Sequence, residues 1–316
     1  TPYENEQGVT NLSSTNGATV NLYAQWTSAS VTYTPSRTGY TFVGWYENEA
    51  CTGTRVDVNG EYTPVANKTL YAKWTANGVS YKVQHWKQNL TGNAEVHDST
   101  NYTLADTDNL TGASDSSVTP LVKTTYTGFT APSTQTVTVK ADGSLVVNYY
   151  YTRNSYEVNI NKGTGINEVT GAGTYLYEAN VTINATLKTG YHWKNWTGTH
   201  STNTQNYSFT MPASSVTDTA NGEANTYTVK YNGNESTGGS TANSTHTYDV
   251  EKALTANGFE RKYTVTFNHN YSGSTNEIRT ATYTFSKWNT NAEGTGTNYN
   301  NGASVSNLTS TNGATV

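Results

Sequence analysis

The stretch GYTFVGW at residues 39–45 decides how this chain can fold, because its spacing returns as GYHWKNW at 190–196 and TYTFSKW at 282–288. In each copy an aromatic residue follows a tyrosine by two positions, and a tryptophan comes three positions later. Side chains at i and i+2 share one face of a β-strand. The tryptophan lies an odd number of residues further on, so a bulge or strand end must turn it onto that face.

These three copies predict three small aromatic cores, each in a unit of its own. The alternative is an exposed aromatic stripe on which a ligand stacks. Large rings are needed to fill a thin core, which favours the first interpretation. The predicted core residues are Tyr40, Phe42, Trp45, Tyr191, Trp193, Trp196, Tyr283, Phe285 and Trp288.

A second recurring pattern predicts the strand that closes a unit. VNLYAQW at residues 20–26 and TLYAKW at residues 69–74 alternate strictly between two faces. Such alternation indicates a half-buried strand. Asn-Gly and Asp-Gly pairs, which favour tight turns, separate units of this kind. The inward-facing residues are Leu22, Ala24 and Trp26 in the first copy and Leu70, Ala72 and Trp74 in the second.

The composition predicts an ordered, mainly β protein. Only 34% of the residues are hydrophobic and 13% charged, yet there are 25 tyrosines and 7 tryptophans, which disordered chains lack. Thr, Val, Tyr and Trp suit a pleated, half-buried surface. The net charge of −5 is spread out, and no basic cluster indicates nucleic-acid binding. A single cysteine, Cys51, excludes a disulfide within the chain, and no apolar run predicts membrane insertion of this segment.

No constellation of side chains predicts an enzyme, a metal site or a cofactor. The six histidines are scattered, and His192 and His200, which flank Trp196, are the best metal candidates among them. Residues 106–115 carry two acids of a calcium loop but lack its glycine and its last glutamate, so we expect an exposed loop. The Gly-rich residues 163–173 lack the lysine of a phosphate-binding loop and predict a hairpin turn.

Two further local features bear on a possible cross-link and on helix content. Lys82 and Asn148 lie on strands expected to be neighbours, the arrangement that an isopeptide cross-link requires. Alternation places Tyr81 and Val83 inward, however, which leaves Lys82 in water and argues against the cross-link. Residues 248–254, YDVEKAL, are the best helix candidate, with Asp249 as its N-cap.

The combination of motifs resembles a known family. Residues 37–74, RTGYTFVGWY…NGEYTP…TLYAKW, closely resemble the Listeria–Bacteroides repeat, the B-repeat type of internalin-like bacterial surface proteins. Residues 288–316 resemble the second half of such a repeat. Residues 81–154 are similar to mucin-binding-protein-like modules, and 156–217 resemble the divergent B-repeat. The resemblance implies a string of small β-grasp-like modules arranged end to end on an extracellular protein, with no catalytic residues.

The resemblance divides the chain into five segments, of which the second lacks the usual opening hairpin and the last carries an extra one. The predicted segments are 1–27, the C-terminal part of a B-repeat module; 28–76, a short B-repeat module; 77–154, a mucin-binding-protein-like module; 155–224, a divergent B-repeat module; and 225–316, a B-repeat module without its last strand.

The two ends of the sequence repeat one another. A shift of 296 residues superimposes Asn11 on Asn307 and Tyr3 on Tyr299. We therefore expect one period of a tandem array plus an overlap, with residues 1–27 as the back of the module type that 225–316 begins. The expected partners are the preceding and following repeats, or identical subunits joined head to tail.

The sequence leaves two functions open. The first is a structural stalk or fibre segment at the cell surface or cell wall, because small repeated units build a long object without a large core. The second is an adhesin segment that binds glycan or a host surface protein through exposed aromatic side chains. A contiguous exposed aromatic patch would favour the second function.

Overall fold

The computed structural model describes residues 2–57 and 60–316. Over these residues every regular element is a β-strand and none is a helix, as the excess of Thr, Val, Tyr and Trp predicts. The fold is therefore mainly β, in many small sheets. The chain divides into two compact units, of which the first comprises Thr1–Gln84, Asp106–Val122 and Ser133–Tyr149, and the second comprises His85–Ala105, Lys123–Pro132 and Tyr150–Val316.

Segment 28–76 forms two small antiparallel sheets. The ladder between residues 40–46 and 71–76 shifts register between Phe42 and Gly44, which is the bulge that the aromatic spacing predicts. The first sheet pairs β1 with β3 and the second pairs β2 with β4. The strands are β1 Val31–Thr32, β2 Tyr40–Tyr46, β3 Glu61–Tyr62 and β4 Tyr71–Ala76.

Segment 77–154 contains a four-stranded sheet in the order β6-β5-β10-β8 and a short β7-β9 pair. Along β5 the side chains of Tyr81 and Val83 are buried and Lys82 is exposed, as the alternation predicts. The strands are β5 Gly78–Gln88, β6 Tyr102–Ala113, β7 Ser117–Val118, β8 Phe129–Thr130, β9 Val137–Thr138 and β10 Val146–Arg153.

Segment 155–224 is built from a four-stranded sheet, β13-β11-β17-β15, and a three-stranded sheet, β12-β14-β16. The closing strand β17 lies between β11, to which it is parallel, and β15, to which it is antiparallel. Trp196 is fully buried in the core of this segment, among Val181, Ile183 and Met211. The strands are β11 Ser155–Lys162, β12 Ile166–Thr170, β13 Gly173–Leu176, β14 Asn180–Leu187, β15 Tyr191–Gly198, β16 Tyr207–Thr210 and β17 Val216–Ala224.

Segment 225–316 has a smaller core, formed by Tyr227, Val229, Tyr231, Leu254 and Val305. Its sheets are β18-β20, β19-β22-β23, β21-β26 and β24-β25. The strands are β18 Thr226–Val229, β19 Gly238–Gly239, β20 Ser244–Thr247, β21 Lys252–Ala253, β22 Phe259–Phe267, β23 Glu277–Tyr283, β24 Trp288–Asn289, β25 Asn298–Tyr299 and β26 Ser304–Val305.

The helix predicted at residues 248–254 is absent, and a turn followed by β21 takes its place. Asp249, the predicted N-cap, has a left-handed backbone with φ of +60°, whereas an N-cap residue typically has a β-region backbone. Its backbone N–H donates to Asn307 Oδ1 over 2.6 Å. Seven residues are also too few to hold a helix without packing, so the tertiary hydrogen bonds decide the conformation.

Residues 2–27 contain no strand, although 20–26 carry the pattern of a closing strand. The side chain of Leu22 is 65% exposed and that of Trp26 is 90% exposed. Ala24 is exposed as well. A strand is stable only when a neighbouring strand takes up its backbone hydrogen bonds, and this segment has none beside it here.

Candidate functional site: the joints and an open groove

A recurring backbone connection, called a joint here, lies at three predicted segment boundaries. At the last of them Asn225 donates its backbone N–H to the carbonyl oxygen of Gly190 over 2.8 Å. Its own carbonyl oxygen accepts the N–H of Tyr248 over 2.8 Å. The linker residue is thus bonded both to the segment that it leaves and to the segment that it enters.

The same two bonds occur at the other two joints. Asn77 donates to the carbonyl oxygen of Gly39 and Asn154 to that of Gly128, each over 2.9 Å. The carbonyl oxygen of Asn77 accepts from Ser114 over 2.9 Å and that of Asn154 from Tyr177 over 2.8 Å. Three boundaries therefore share one hydrogen-bonding scheme.

The asparagine side chains add a third bond at each joint, always to the second residue after the glycine. Thr41 Oγ1 donates to Asn77 Oδ1 over 2.6 Å, and Thr130 Oγ1 donates to Asn154 Oδ1 over 2.5 Å. At the third joint the His192 ring nitrogen Nδ1 lies 2.8 Å from Asn225 Oδ1. The amide oxygen fixes the linker side chain as well as its backbone.

Glycine is required at these joints by both its backbone and its contacts. Gly39, Gly128 and Gly190 have φ values of +74°, +76° and +81°, in the left-handed region that other residues occupy at a cost. A Cβ on Gly128 would overlap the ring of Tyr177, and one on Gly190 would overlap the ring of Tyr248. At these two joints an aromatic ring of the next segment packs directly on the glycine backbone, and at Gly39 the residues Ser114 and Ala141 take that place.

An acidic residue in a left-handed turn completes each joint. Asp115, Glu178 and Asp249 have φ values of +59°, +65° and +60°. Tyr40 donates its hydroxyl to Asp115 over 2.6 Å, and Tyr191 donates to Asp249 over 2.9 Å. In both cases the hydrogen bond to the carboxylate raises the pKa of the tyrosine, because the carboxylate favours the protonated phenol.

At the Asn154 joint a phenylalanine replaces the tyrosine and an arginine takes over its role. Phe129 has no hydroxyl to offer, and the guanidinium of Arg153 lies 4.7 Å from the centre of its ring. The same Arg153 binds Glu178 over 2.6 Å and donates to the carbonyl oxygen of Tyr177 over 2.8 Å. The acid is thus bound at all three joints, by two different chemistries.

The predicted segment boundaries at 76/77, 154/155 and 224/225 lie beside these asparagines, but the sequence motifs did not predict the joints. The signal that could have found them is Thr-Gly followed by an aromatic residue at 38–40, 127–129 and 189–191, each paired with an asparagine at the next boundary. The partners are far apart in the sequence, so spacing alone does not reveal that they meet.

In each of the three motifs the second aromatic residue contacts the tryptophan that follows it. The ring centres of Phe42 and Trp45 lie 5.4 Å apart, and those of Trp193 and Trp196 lie 5.3 Å apart. A second register shift, between Trp193 and Asn195, is the bulge that turns Trp196 onto the face of Trp193. Phe285 and Trp288 lie 4.9 Å apart.

Burial of the motif residues differs from one copy to the next. Trp196 is fully buried, whereas Trp45 and Trp288 are half-buried. Five other predicted core residues are also half-buried: Tyr40, Phe42, Tyr191, Trp193 and Phe285. The predicted closing-strand residues Leu70, Ala72 and Trp74 are half-buried as well.

Tyr283 does not occupy the core position expected from its motif, because 57% of its side chain is exposed. It lies opposite Arg261 in the β22–β23 hairpin, with its ring 5.6 Å from that of Tyr263. The equivalent Tyr191 lies opposite Ala224 of a closing strand. Tyr283 has no such strand beside it, and its ring stays in solvent.

A cavity of about 1040 Å³, called the open groove here, lies in segment 225–316. Its lining runs from residues 229–234 to residues 283–292. Apolar side chains in the lining include Val229, Tyr231, Leu254, Phe259, Phe285 and Trp288. In segment 155–224 the motif residues Trp193 and Trp196 belong to the core. The equivalent residues of segment 225–316, Phe285 and Trp288, line the open groove instead.

The other candidates from the sequence take ordinary structural positions. Residues 106–113 belong to strand β6 rather than to the expected loop. Residues 163–173 do not form the predicted hairpin turn, because residues 163–165 lead from β11 into β12, which occupies Ile166–Thr170 and belongs to a different sheet. The two histidines have different hydrogen-bond partners. His192 Nδ1 pairs with Asn225 Oδ1, and His200 Nδ1 lies 2.7 Å from Asp218 Oδ2.

Within residues 2–57 and 60–316, no group of three His, Cys, Asp or Glu side chains is placed to hold a metal ion. Over the same described ranges, no helix has the length and apolar character needed to cross a bilayer.

Small sheets joined through a repeated linker scheme define a mainly β repeat protein. Residues 3–73 and 274–311 match the Listeria–Bacteroides repeat domain, and residues 156–226 match the divergent InlB B-repeat domain. These parts of the chain belong to those two repeat families. Repeats of this kind occur in bacterial surface and extracellular proteins and are typically non-enzymatic modules.

Among solved structures, the chain is similar to the Bacillus anthracis TIE protein. The two are 10% identical with a TM-score of 0.34, and the match covers 82% of this chain and 55% of that protein. The chain therefore spans about half the length of this relative. No curated protein sequence matches the chain.

Proposed function

We propose that this chain is a structural stalk or fibre segment of a bacterial extracellular surface protein, located at the cell surface or cell wall. Its modules follow one another end to end, and its partners are neighbouring repeats or identical subunits joined head to tail. Its role is to act as a spacer within the surface protein rather than to catalyse a reaction.

The joint that recurs at Asn77, Asn154 and Asn225 is the observation that carries this proposal. Each joint has two backbone bonds, one side-chain bond and a glycine covered by the next segment. A net contribution of about 0.5–1.5 kcal/mol per hydrogen bond makes each joint stable against thermal bending. A linker that served only as a flexible tether would need none of these contacts.

The cores support the same function. The apolar side chains of segment 155–224 form one cluster and those of segment 225–316 form another. Each of these two segments has a core of its own, which suits a stalk that gains length by adding units rather than by enlarging one core.

Small-angle X-ray scattering of the chain, and of a tandem duplicate of it, tests the proposal. A compact protein of 316 residues has a radius of gyration of about 20 Å. We expect a value well above this, and a maximum dimension that nearly doubles in the duplicate. A radius near the compact value, or a duplicate that is no longer than the single chain, would contradict the stalk.

A matched set of variants separates stiffness from mere length. Replacing Asn77, Asn154 and Asn225 by alanine removes the side-chain bonds of all three joints. We expect a shorter average maximum dimension and faster amide exchange at Ser114, Tyr177 and Tyr248. The control replaces three exposed asparagines outside the joints, Asn161, Asn206 and Asn276, and should leave both measurements unchanged.

A second candidate function, adhesion, is favoured by one feature. Along β22 the side chains of Tyr263, Val265 and Phe267 lie on one face of the hairpin and are 40%, 48% and 52% exposed. Tyr283, on the paired strand, extends this apolar row. A row of this kind suits contact with a sugar ring or a protein surface.

A glycan array probed with the chain tests the adhesive function. A Tyr263→Ser, Phe267→Ser variant is the comparison, and a Thr264→Ser, Thr266→Ser variant on the opposite face is its control. Binding that the first variant loses and the second keeps would support adhesion. Equal signals for all three proteins would leave the stalk as the better function.

A further inference from the structure

Segment 28–76 contains a small pocket, called the aromatic pocket here, with a volume of about 230 Å³. Three aromatic side chains, those of Tyr33, Trp45 and Tyr62, line it together with Leu70 and Lys68. Tyr33 directly follows β1, Trp45 lies in β2 and Tyr62 lies in β3. The pocket therefore lies where the β1–β3 sheet meets the β2–β4 sheet.

Two of the three rings are held nearly parallel. The ring centres of Tyr33 and Trp45 lie 6.0 Å apart, with 29° between the ring planes. Trp45 also donates its Nε1–H to the carbonyl oxygen of Tyr33 over 2.9 Å. Phe42 packs edge-on against the same indole, 5.4 Å away. The indole is thus fixed before a ligand arrives, so little side-chain entropy is lost on binding.

The rings of the aromatic pocket are more open to solvent than those of a closed core. Tyr33 is 67% exposed, and Trp45 and Tyr62 are half-buried. In segment 155–224 the equivalent motif tryptophan, Trp196, is fully buried. A group of exposed aromatic side chains, unlike a single one, indicates an interaction site.

The rim of the pocket offers hydrogen-bonding groups that are available to a ligand. Across the described residues, 2–57 and 60–316, neither the hydroxyl of Tyr33 nor that of Tyr62 has a hydrogen-bond partner. Lys68 Nζ lies 3.2 Å from Glu47 Oε2, and both side chains are partly exposed. An exposed ion pair contributes little to stability, so the ammonium group is free to turn to a ligand.

We propose that the aromatic pocket binds one neutral pyranose ring, the terminal sugar of a glycan. One face of such a ring presents C–H groups, which pack on the rings of Tyr33 and Trp45. The hydroxyl groups at its edge bond with Lys68 and with the two tyrosine hydroxyls. Pockets for drug-sized ligands measure about 300–1,000 Å³, so this smaller pocket suits a single ring.

The charge of Lys68 decides between a sugar and the other ligands that aromatic rings attract. A quaternary ammonium group is drawn to ring faces, but the ammonium of Lys68 in the lining repels it. A wholly apolar ligand would take polar groups of the rim out of water without replacing their hydrogen bonds, which costs free energy. A sugar ring has both the apolar face and the hydroxyls that this lining requires.

The inference goes beyond the proposed stalk, because a stalk needs no ligand. It also concerns a different segment from the apolar row of Tyr263, Val265 and Phe267. A chain that is extended in scattering but binds no sugar would overturn the pocket and leave the stalk intact. A compact chain that binds sugar at Tyr33 would do the reverse.

Saturation-transfer difference NMR on the full chain tests the pocket. The probes are the methyl β-glycosides of glucose, galactose and N-acetylglucosamine at millimolar concentrations. We expect the ring C–H protons of at least one glycoside to receive saturation, with an intensity that rises with concentration to a plateau and so gives the Kd. Tetramethylammonium is the comparison probe and should receive none.

Substitutions at Tyr33 connect the signal to the pocket. Tyr33→Ser removes a stacking ring and should weaken sugar binding about tenfold. Tyr33→Phe keeps the ring and loses only the hydroxyl, so its loss of affinity should be smaller. Unchanged amide exchange in β2 and β4 shows that both variants stay folded. Tyr33 is largely exposed, so we expect no change there.

Two control variants should bind the sugar as the unmodified chain does. The first is Tyr271→Ser, because Tyr271 is 66% exposed, like Tyr33, but lies outside the pocket. The second is the Tyr263→Ser, Phe267→Ser variant, which alters the apolar row of β22 and leaves the aromatic pocket unchanged.

Three results would overturn the inference. One is the absence of saturation transfer to all three glycosides. Another is sugar binding that Tyr33→Ser leaves unchanged, or that a control variant weakens equally. The last is saturation of tetramethylammonium at lower concentrations than any glycoside requires, which would make the pocket a site for cations.

Discussion

The backbone N–H of Asn225 lies 2.8 Å from the carbonyl oxygen of Gly190, 35 residues earlier in the chain. This bond exists only because Gly190 adopts a φ of +81° and leaves room for the ring of Tyr248. It ties the position of a linker to the conformation of a turn in the preceding segment. A glycine that elsewhere would only shape a loop therefore sets the geometry of a joint.

Replacing Gly190 by alanine should destabilise the Asn225 joint by more than backbone strain alone. A left-handed non-glycine residue costs about 1–3 kcal/mol, and the added Cβ must also displace Tyr248. Amide exchange at Tyr248 measures the opening. The control is Gly302→Ala, whose φ is +67° but whose Cβ meets nothing within 4 Å. If both changes cost the same free energy, the ring contact contributes nothing.

Replacing Trp196 by alanine should cost about 3–5 kcal/mol, because the side chain is fully buried. Trp288→Ala should cost less in the free chain, since Trp288 is half-buried and faces the open groove. Urea unfolding followed by amide exchange in each segment measures both. Unfolding of segment 155–224 should leave the amides of β2 and β4 protected. Loss of protection in β2 and β4 would show that the segments do not unfold independently.

Asp57 should make segment 28–76 sensitive to acid. Hydrogen bonds from Arg55 over 2.5 Å and from the N–H of Trp45 over 2.7 Å lower the pKa of this buried carboxyl to about 2. Because the pKa of Asp57 is lower in the folded state than in the unfolded state, the ionised carboxyl stabilises the fold by about 2 kcal/mol at pH values above the unfolded pKa. This stabilisation is lost as the pH falls from about 4 to about 2.

The measurement for Asp57 is amide exchange of Trp45 as a function of pH, corrected for the intrinsic rate. Asp57→Asn should show weaker protection at neutral pH and little further loss in acid. Glu61→Gln, an exposed change in the same segment, is the control. If the Asp57→Asn protein lost protection at Trp45 in acid as the unmodified protein does, the acid sensitivity would come from another group.

His246 should give segment 225–316 a dependence on pH near neutrality. Its ring is buried and stacked on Tyr227, with Nε2 2.8 Å from Ser244 Oγ, and burial lowers its pKa. The unfolded state then binds the proton more readily, so stability is complete above the ordinary histidine pKa of about 6.5 and falls below it. Exchange of the β18 and β20 amides between pH 8 and pH 5 measures the loss.

The comparison for His246 uses two substitutions. His246→Gln should remove the dependence on pH, whereas His269→Gln, at an exposed position, should preserve it. The same slope in both variants would exclude His246 as its source.

The local rules of strand geometry made several features predictable. The odd spacing from Phe42 to Trp45 and from Trp193 to Trp196 predicted a bulge, and the register shifts lie between Phe42 and Gly44 and between Trp193 and Asn195. Alternation around Lys82 gave the buried and exposed faces of β5. These features depend on a period of two residues, which a single strand carries by itself.

Features that depend on distant partners were missed or misjudged. A short helix at 248–254 satisfied local propensity, but the bonds of Tyr248 to Asn225 and of Asp249 to Asn307 hold the chain in a turn. Tyr283 has the same spacing as Tyr40 and Tyr191 but lacks a closing strand beside it, so its ring is exposed.

The sequence by itself determined the class of fold, the aromatic spacing with its bulges and the repeat of residues 11–20 at 307–316, because each is written in short-range order. Only the tertiary structure decided that Asn77, Asn154 and Asn225 bond to glycines tens of residues earlier and that the aromatic side chains of segment 225–316 line an open groove. Both outcomes depend on which strands come to lie side by side, and that choice is made by hydrogen bonds and packing across the chain.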